Sequence, residues 1–225
     1  MATQTIVLIG FMGVGKTSIG TFLARKTKVN FCDTDRMITK SQAATPQEIF
    51  QTHGEVYFRQ VESKVLAQAL TQHGIISTGG GIVELKYNLQ LLRQSKATIV
   101  YLYGDLSHLM PRLLPNHKRP LIEHNSSRDL FELWQRRDKI YRSIADLIID
   151  TTGKRNNVIA AEIKLGAALW QRHELSQKEV AISSQILSLE RKIANLNHQK
   201  QILNQNLINH RYIDVINRGF KRGSR

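Results

Sequence analysis

A single cysteine, Cys32, is all the thiol this chain of 225 residues carries. No internal disulfide and no thiolate metal cluster can be built from it, which excludes a disulfide-stapled scaffold. Long apolar runs are missing too, and none approaches the roughly 18 residues a membrane-spanning helix needs. The first residues lack a charged start leading into a long apolar stretch, so no secretory leader is read there. These absences point to the cytoplasm and to no membrane partner. Acidic residues are scarce: 18 Asp and Glu stand against 32 Lys and Arg, a net charge of +14. The excess is +8 over residues 1–170 and +6 over the rest. A nucleic-acid binder can own such a balance. Here, however, the basic residues of 1–170 stand singly and no groove-reading motif accompanies them. An enzyme whose substrates are all anions explains the charge equally well.

What the chain does have, near its start, is Gly10-Phe11-Met12-Gly13-Val14-Gly15-Lys16-Thr17. This fits the phosphate-loop pattern G-x-x-x-x-G-K-[ST]. Residues 5–9 before it are β-prone and read as a buried strand, and residues 18–26 after it put Ile19, Phe22 and Leu23 on one helical face. Strand, glycine loop and helix together aim successive backbone N–H groups at a phosphate. In that arrangement Lys16 reaches the β- and γ-phosphates and the Thr17 hydroxyl holds Mg2+. A chance glycine-rich turn is the alternative, and it would need neither the strand nor the helix.

Strand-like segments at residues 5–9, 30–32, 74–77, 97–103 and 146–150 alternate with helical patterns as far as Trp170. The alternation predicts an α/β fold, a parallel sheet with helices on both faces, whose ligands gather at the carboxyl ends of the strands. Thr45-Pro46-Gln47-Glu48 marks one helix start, with an N-cap, a proline at N1 and a glutamate at N3. Another helix, over residues 55–72, turns Val61, Val65, Leu66 and Leu70 inward. After Trp170 the texture changes. Ser176-Gln177-Lys178-Glu179 is a second capping-box pattern, followed by apolar residues at spacings of four and three. With Ile186 as position a, the a set is Ile186, Ile193, Lys200 and Leu207, and the d set is Ile182, Leu189, Leu196 and Leu203. Ile at a with Leu at d suits a parallel two-stranded coiled coil, so a homodimer through residues 182–207 is expected. A helix lying back on the core is the alternative, and it needs a wider apolar stripe. The organisation is then a domain of residues 1–172, a helical, coiled-coil extension of residues 173–215, and a basic tail of residues 216–225 expected to be disordered.

Asp33-Thr34-Asp35 follows the second strand. Carboxylates at i and i+2 on a strand end point the same way. In a phosphoryl-transfer site that puts one near Mg2+ and one beside an acceptor hydroxyl, whose proton it can take. A solvated turn would use the same residues. Gly79-Gly80-Gly81 follows the third strand, where it brings main chain against something bulky or presents N–H groups to a carboxylate. A flexible turn is the plainer reading. Arg59, Arg119 and Arg137 complete the set. An isolated arginine is ordinarily a solvated residue, but paired guanidinium groups clamp a carboxylate. Arg119, in Lys118-Arg119-Pro120-Leu121 within the polar stretch 112–127, can close as a mobile lid on a transferring phosphoryl group.

Residues 10–17, Asp33-Thr34-Asp35, the run from Gly54 to Arg59, Gly79-Gly80-Gly81, Arg119-Pro120-Leu121 and the Arg137/Tyr141 pair stand in the order and spacing of shikimate kinase. Over residues 4–170 the chain resembles that family. The phosphate loop alone is common to many nucleotide-binding proteins; the remaining set makes the likeness specific. The resemblance implies a three-layer fold like that of the nucleoside-monophosphate kinases, with a five-stranded parallel sheet and a lid. It implies ATP-dependent phosphorylation of the 3-hydroxyl of shikimate, in aromatic amino-acid biosynthesis. By that likeness Gly13, Val14, Gly15, Lys16, Thr17 and Ser18 hold the ATP phosphates, with Thr17 on Mg2+ and Asp33 behind the metal. Asp35 resembles the ligand of the shikimate hydroxyl and its general base. Arg59 and Arg137 are implied to take the shikimate carboxylate, in a pocket lined by Gly79, Gly80 and Gly81. Arg119 is implied to contact ATP from the lid, with Arg112 on the adenine side. Lys16, Asp35 and Arg119 would carry the catalysis.

The likeness is not complete. The family's Arg-x-Pro-Leu-Tyr is here Arg137-Asp138-Lys139-Ile140-Tyr141, and Pro111 and Pro115 are additions near the lid. An adenine contact after the last strand falls on Lys154 or Arg155, with Arg155 taken as the candidate. The stretch after Trp170 exceeds the family's usual length. Another P-loop small-molecule kinase, for gluconate or a nucleotide, stays open as an alternative. So does an inactive nucleotide-binding module that dimerises through its C-terminal helix, although the intact Lys16, Asp33, Asp35 and Arg119 argue against it.

Overall fold

The computed structural model describes residues 5–113 and 127–220. Five parallel strands make one sheet in the order β2-β3-β1-β4-β5. They are β1 Ile6–Ile9, β2 Phe31–Asp33, β3 Ile75–Ser77, β4 Thr98–Tyr103 and β5 Leu147–Asp150. The connections carry α1 Lys16–Thr27, α2 Thr34–Gln42, α3 Pro46–Ala69, α4 Lys86–Gln94, α5 Leu106–Leu113, α6 Ser127–Ile144 and α7 Asn156–Phe220. The α/β architecture is the expected one, and each strand lies within a residue of its predicted place.

Strand β1 takes the centre because every one of its side chains is apolar and buried, as a strand covered by helices on both faces requires. Ile6 pairs with Ile75 on one side and Thr98 on the other, so the carboxyl ends of three strands come level. Connections leave that centre toward both edges, and this opens a crevice at the strand ends. Ile19, Leu23 and Ala24 of α1, and Ile159, Ala160 and Ile163 at the start of α7, join the main core. A smaller apolar cluster of Ile38, Ile49, Phe58, Val61 and Val65 fastens α2 to α3.

The capping box that opens α3 forms as read: Thr45 Oγ1 accepts the Glu48 N–H at 3.2 Å, and Glu48 Oε2 accepts the Thr45 N–H at 2.6 Å. The helix expected over residues 55–72 is the second half of this element, which ends at Ala69 with Leu70 as its C-cap. The halves meet at Gly54, whose φ of 79° and ψ of 174° no helix accommodates and which glycine adopts without a side-chain penalty. Arg59 is thereby carried on a helix aimed independently of the one that starts at Pro46.

The chain divides into two compact units, Met1–Trp170 and Gln171–Arg225. In the second, α7 stays helical to Phe220, into the stretch expected to be a disordered tail. Every described side chain of residues 171–203 is exposed. Ile182, Ile186, Leu189, Ile193, Leu196 and Leu203 are exposed to between 51 and 64 %. No helix among the described residues is long and apolar enough to cross a membrane.

Candidate active site

The loop between β1 and α1 turns on Gly13 and Gly15, with φ of 80° and 97°, angles that L side chains rarely adopt. Gly15 is also the N-cap of α1, and no side chain caps that helix. Its first N–H groups and the positive end of its dipole are therefore available to an anion. Lys16 is buried, and its Nζ donates to the carbonyls of Gly10 at 2.7 Å and Phe11 at 3.0 Å. Val14 differs from its neighbours in the loop. Its side chain packs in the core and its N–H donates to the Phe11 carbonyl at 3.4 Å, so it shapes the loop.

The two aspartates do not share a strand end. Asp33 closes β2 and is the N-cap of α2: its Oδ1 accepts the N–H groups of Asp35 at 3.1 Å and Arg36 at 3.3 Å. Asp35 already lies in the first helical turn. Aspartate is a strong N-cap and a poor strand residue, so the helix starts before the i, i+2 geometry can form. The two carboxylates end in different surroundings. Asp33 Oδ2 accepts from Thr17 Oγ1 at 2.7 Å, behind the phosphate loop. Asp35 lines a cavity of about 550 Å³ together with Gly13, Gly15, Lys16, Thr17, Ser18, Arg59, Gly79, Gly80, Gly81 and Arg137.

The triple glycine is packed against charge. A Cβ on Gly79 would stand 2.9 Å from Asp35 Oδ1 and 3.1 Å from Glu62 Oε1, and a Cβ on Gly81 would overlap Arg59 Nη1. Main chain thus comes close enough to the charged side chains to form one wall of the cavity. The Thr34 hydroxyl accepts the Gly79 N–H at 3.1 Å, and the Tyr141 hydroxyl donates to the Gly80 carbonyl. Both neighbouring helices are tied to this turn.

Arg59 Nη1 donates to Glu62 Oε2 at 2.7 Å, while its Nε and Nη2 each donate to Glu55 Oε1 at 3.3 Å. Burial works against the Arg59 charge, but Glu62 and Glu55 outweigh it and hold its pKa up. Glu62 is 1 % exposed. Burial pushes its carboxyl above the usual range, Arg59 opposes that, and the nearby Asp35 adds to it. Arg137 is 2 % exposed; its Nε donates to Glu84 Oε1 at 2.7 Å and its guanidinium carbon lies 5.9 Å from the centre of the Phe11 ring. Burial pushes the Tyr141 phenol well up, so it stays a donor.

Glu62 and Glu84 are missing from the residues picked out by motif. Glu62 follows Arg59 by three, the spacing of neighbours on one helical face, and that signal could have found it. Glu84 follows a loop and offers no comparable sign. Arg112 and Arg155 do not line the cavity. Arg112 is helical, in the last turn of α5, and contacts His108 Nε2 at 3.3 Å; Gly153 N–H donates to the same nitrogen at 3.5 Å. His108 therefore brings the Arg112 and Arg155 stretches together. Lys154 Nζ is paired with both oxygens of Glu162 at 2.8 and 2.9 Å. Arg119, and all of residues 114–126, lie outside the described residues.

A family model described as shikimate kinase matches residues 12–166. The chain belongs to the shikimate kinase family. The shikimate kinase of Moorella thermoacetica is 39 % identical over 166 residues, covering 73 % of this chain and 95 % of the relative. That of Dictyoglomus turgidum is 35 % identical over 165 residues, covering 71 % and 95 %. Among solved structures, shikimate kinase from Acinetobacter baumannii in complex with shikimate has a TM-score of 0.70 at 33 % identity, over 74 % of this chain and 93 % of that one. The Aquifex aeolicus shikimate kinase has a TM-score of 0.65 at 30 % identity, over 73 % and 96 %. Residues after 166 lie outside the matched family span.

Proposed function

We propose that this shikimate kinase transfers the γ-phosphoryl group of ATP to the 3-hydroxyl of shikimate, with the site residues in the roles that follow. One observation carries the reading. A single cavity joins the uncapped start of α1 and the buried Lys16 to Asp35, Arg59 and Arg137. The loop N–H groups and Lys16 bind and neutralise the phosphates, with Gly13, Gly15 and Ser18 close by. Asp35 orients the acceptor hydroxyl and takes its proton as the phosphoryl group arrives. Arg59 and Arg137 take the acceptor's carboxylate. Arg119 from the lid, Arg112 beside His108 and Arg155 two residues after Gly153 are assigned to ATP.

Magnesium fits this donor set. Among the described residues no three His, Cys, Asp or Glu side chains gather for a metal. The Thr17 hydroxyl and Asp33 carboxylate, 2.7 Å apart, are nevertheless hard oxygens beside the loop. Mg2+ characteristically takes few protein oxygens and completes its shell from phosphate and water. Bound through Thr17 with Asp33 behind, it would offset charge on the β- and γ-phosphates.

The exposed 4-3 stripe of the extension supports a homodimer through residues 182–207. The deciding experiment on function is a coupled assay of ADP release with shikimate, gluconate and AMP as acceptors. Turnover with shikimate alone is expected; comparable turnover with gluconate or AMP would overturn the assignment.

A further inference from the structure

We infer that Glu84 is a positioning residue: it fixes the Arg137 guanidinium so that the terminal nitrogens face the acceptor's carboxylate, and so sets the affinity for shikimate. This rests on the carboxylate-binding role proposed above for Arg137.

The backbone of Glu84 is itself well fixed. Ile82 and Val83 before it are buried, its N–H donates to the Gly81 carbonyl at 3.0 Å, and Asn88 Nδ2 donates to the Ile82 carbonyl at 3.0 Å. Its carboxylate thus moves with the triple-glycine wall of the cavity. Oε1 takes the Arg137 Nε–H at 2.7 Å and, on the solvent side, the Arg136 Nη2–H at 3.1 Å. A guanidinium is a rigid planar fork, so a bond at Nε fixes the plane of the whole group. It also leaves the outer edge for a bidentate partner. Nη1 and Nη2 of Arg137 have no hydrogen-bond partner among the described residues. Arg59 contrasts with this, since Glu62 and Glu55 engage all three of its nitrogens. Both buried arginines line the cavity, but Arg137 is the one held by its Nε alone, with Glu84 as the holder. Helix α6 does not depend on Glu84 for its place, because Tyr141, one turn on, is bonded to the Gly80 carbonyl.

Steady-state kinetics on the full-length chain test this. Glu84→Ala should raise the KM for shikimate roughly tenfold, the scale of a lost charge-assisted hydrogen bond. Turnover and the KM for ATP should stay within about twofold. Glu84→Gln keeps the accepting oxygen and should recover most of the loss. Adding Glu84→Ala to Arg137→Lys should change little, because the fork it orients is gone. If Glu84→Ala leaves shikimate KM unchanged or lowers it while Arg137→Lys raises it, positioning by Glu84 is refuted and the role of Arg137 stands. If Arg137→Lys itself leaves shikimate KM unchanged, the underlying reading falls and this one with it. An equal loss of turnover and ATP affinity in Glu84→Ala would show a structural role and overturn the proposal.

Discussion

Arg59 Nη1 and Glu62 Oε2 stand 2.7 Å apart on one turn of α3, with both side chains withdrawn from water. The pair is under opposing demands. Glu62 neutralises a guanidinium that would otherwise be costly to bury, yet its own carboxylate sits beside Asp35 with Gly79 between them. Burial prevails at Glu62, so in the folded chain it keeps its proton to higher pH than in the unfolded chain. Between the ordinary glutamate value of about 4.3 and the folded value, the native state therefore binds more protons. Stability from this group must then fall as pH rises through that interval. Glu62→Gln has no such proton to lose. The unfolding free energy of the native chain minus that of Glu62→Gln, from urea titrations, should decline from about pH 4.3 upward and then level off. A difference that climbs over the same interval would mean that Arg59 holds the carboxyl down instead.

Lys16→Met tests the loop. Methionine replaces the length of the side chain but not its charge, and it leaves the Gly10 and Phe11 carbonyls without the ammonium donor. Turnover should drop by at least about a hundredfold, as on removal of a transition-state donor, while the circular dichroism spectrum is retained. Near-normal turnover would refute the role given to Lys16.

How much of this was legible in the sequence depends on what each residue answers to. The strands are short apolar runs whose neighbours along the chain decide them, and they came out within a residue. The phosphate loop is read from its own glycines. Asp33 and Asp35 depart from the strand-end geometry that their spacing predicts because two local preferences compete there, and capping α2 beats extending β2. Glu62 shows only its spacing of three from Arg59, and Glu84 looks like an ordinary surface acid in one dimension; the approach of α3 and α6 to the triple-glycine turn buries one and bonds the other. Gly54 belongs to a motif in the sequence, but its break in α3 is set by where the two helix halves pack.

Gly81→Ala and Gly74→Ala should separate binding from folding. At Gly81 the new methyl meets Arg59 Nη1, the far end of a flexible side chain. Arg59 can withdraw, so stability should fall by only about 1–2 kcal/mol while shikimate KM rises several-fold. At Gly74 φ is +130° and the methyl meets the Asn30 carbonyl, which β2 and β3 hold in place. Neither can give way, and a loss of roughly 3 kcal/mol or more is expected. Chemical denaturation beside acceptor titrations reads both; equal destabilisation at the two sites would contradict the assigned wall.

Asp35→Asn removes a base and keeps the shape. Asp35 lines the cavity against the Gly79 turn, while Asp33 is the carboxylate bonded to Thr17. Turnover should fall by about 10²–10⁴-fold, the usual worth of a general base, with ATP affinity by calorimetry little changed. If ATP affinity collapses in parallel, Asp35 is acting on the nucleotide and its assignment to the acceptor is wrong.

The extension offers the most direct test of assembly. Leu189 and Leu196 occupy d positions and are 57 and 64 % exposed in the single chain, an unfavourable state for large apolar side chains that a second copy would relieve. Burying each is worth about 1.5–3 kcal/mol. Leu189→Asn with Leu196→Asn places polar groups at two successive layers of the seam. Both positions are exposed on the helix surface of the second compact unit, so the kinase domain should fold and turn over as before. Sedimentation equilibrium should report a dimer for the native chain and a monomer for the double variant at the same concentration. A native chain already monomeric at micromolar concentration would end the coiled-coil reading.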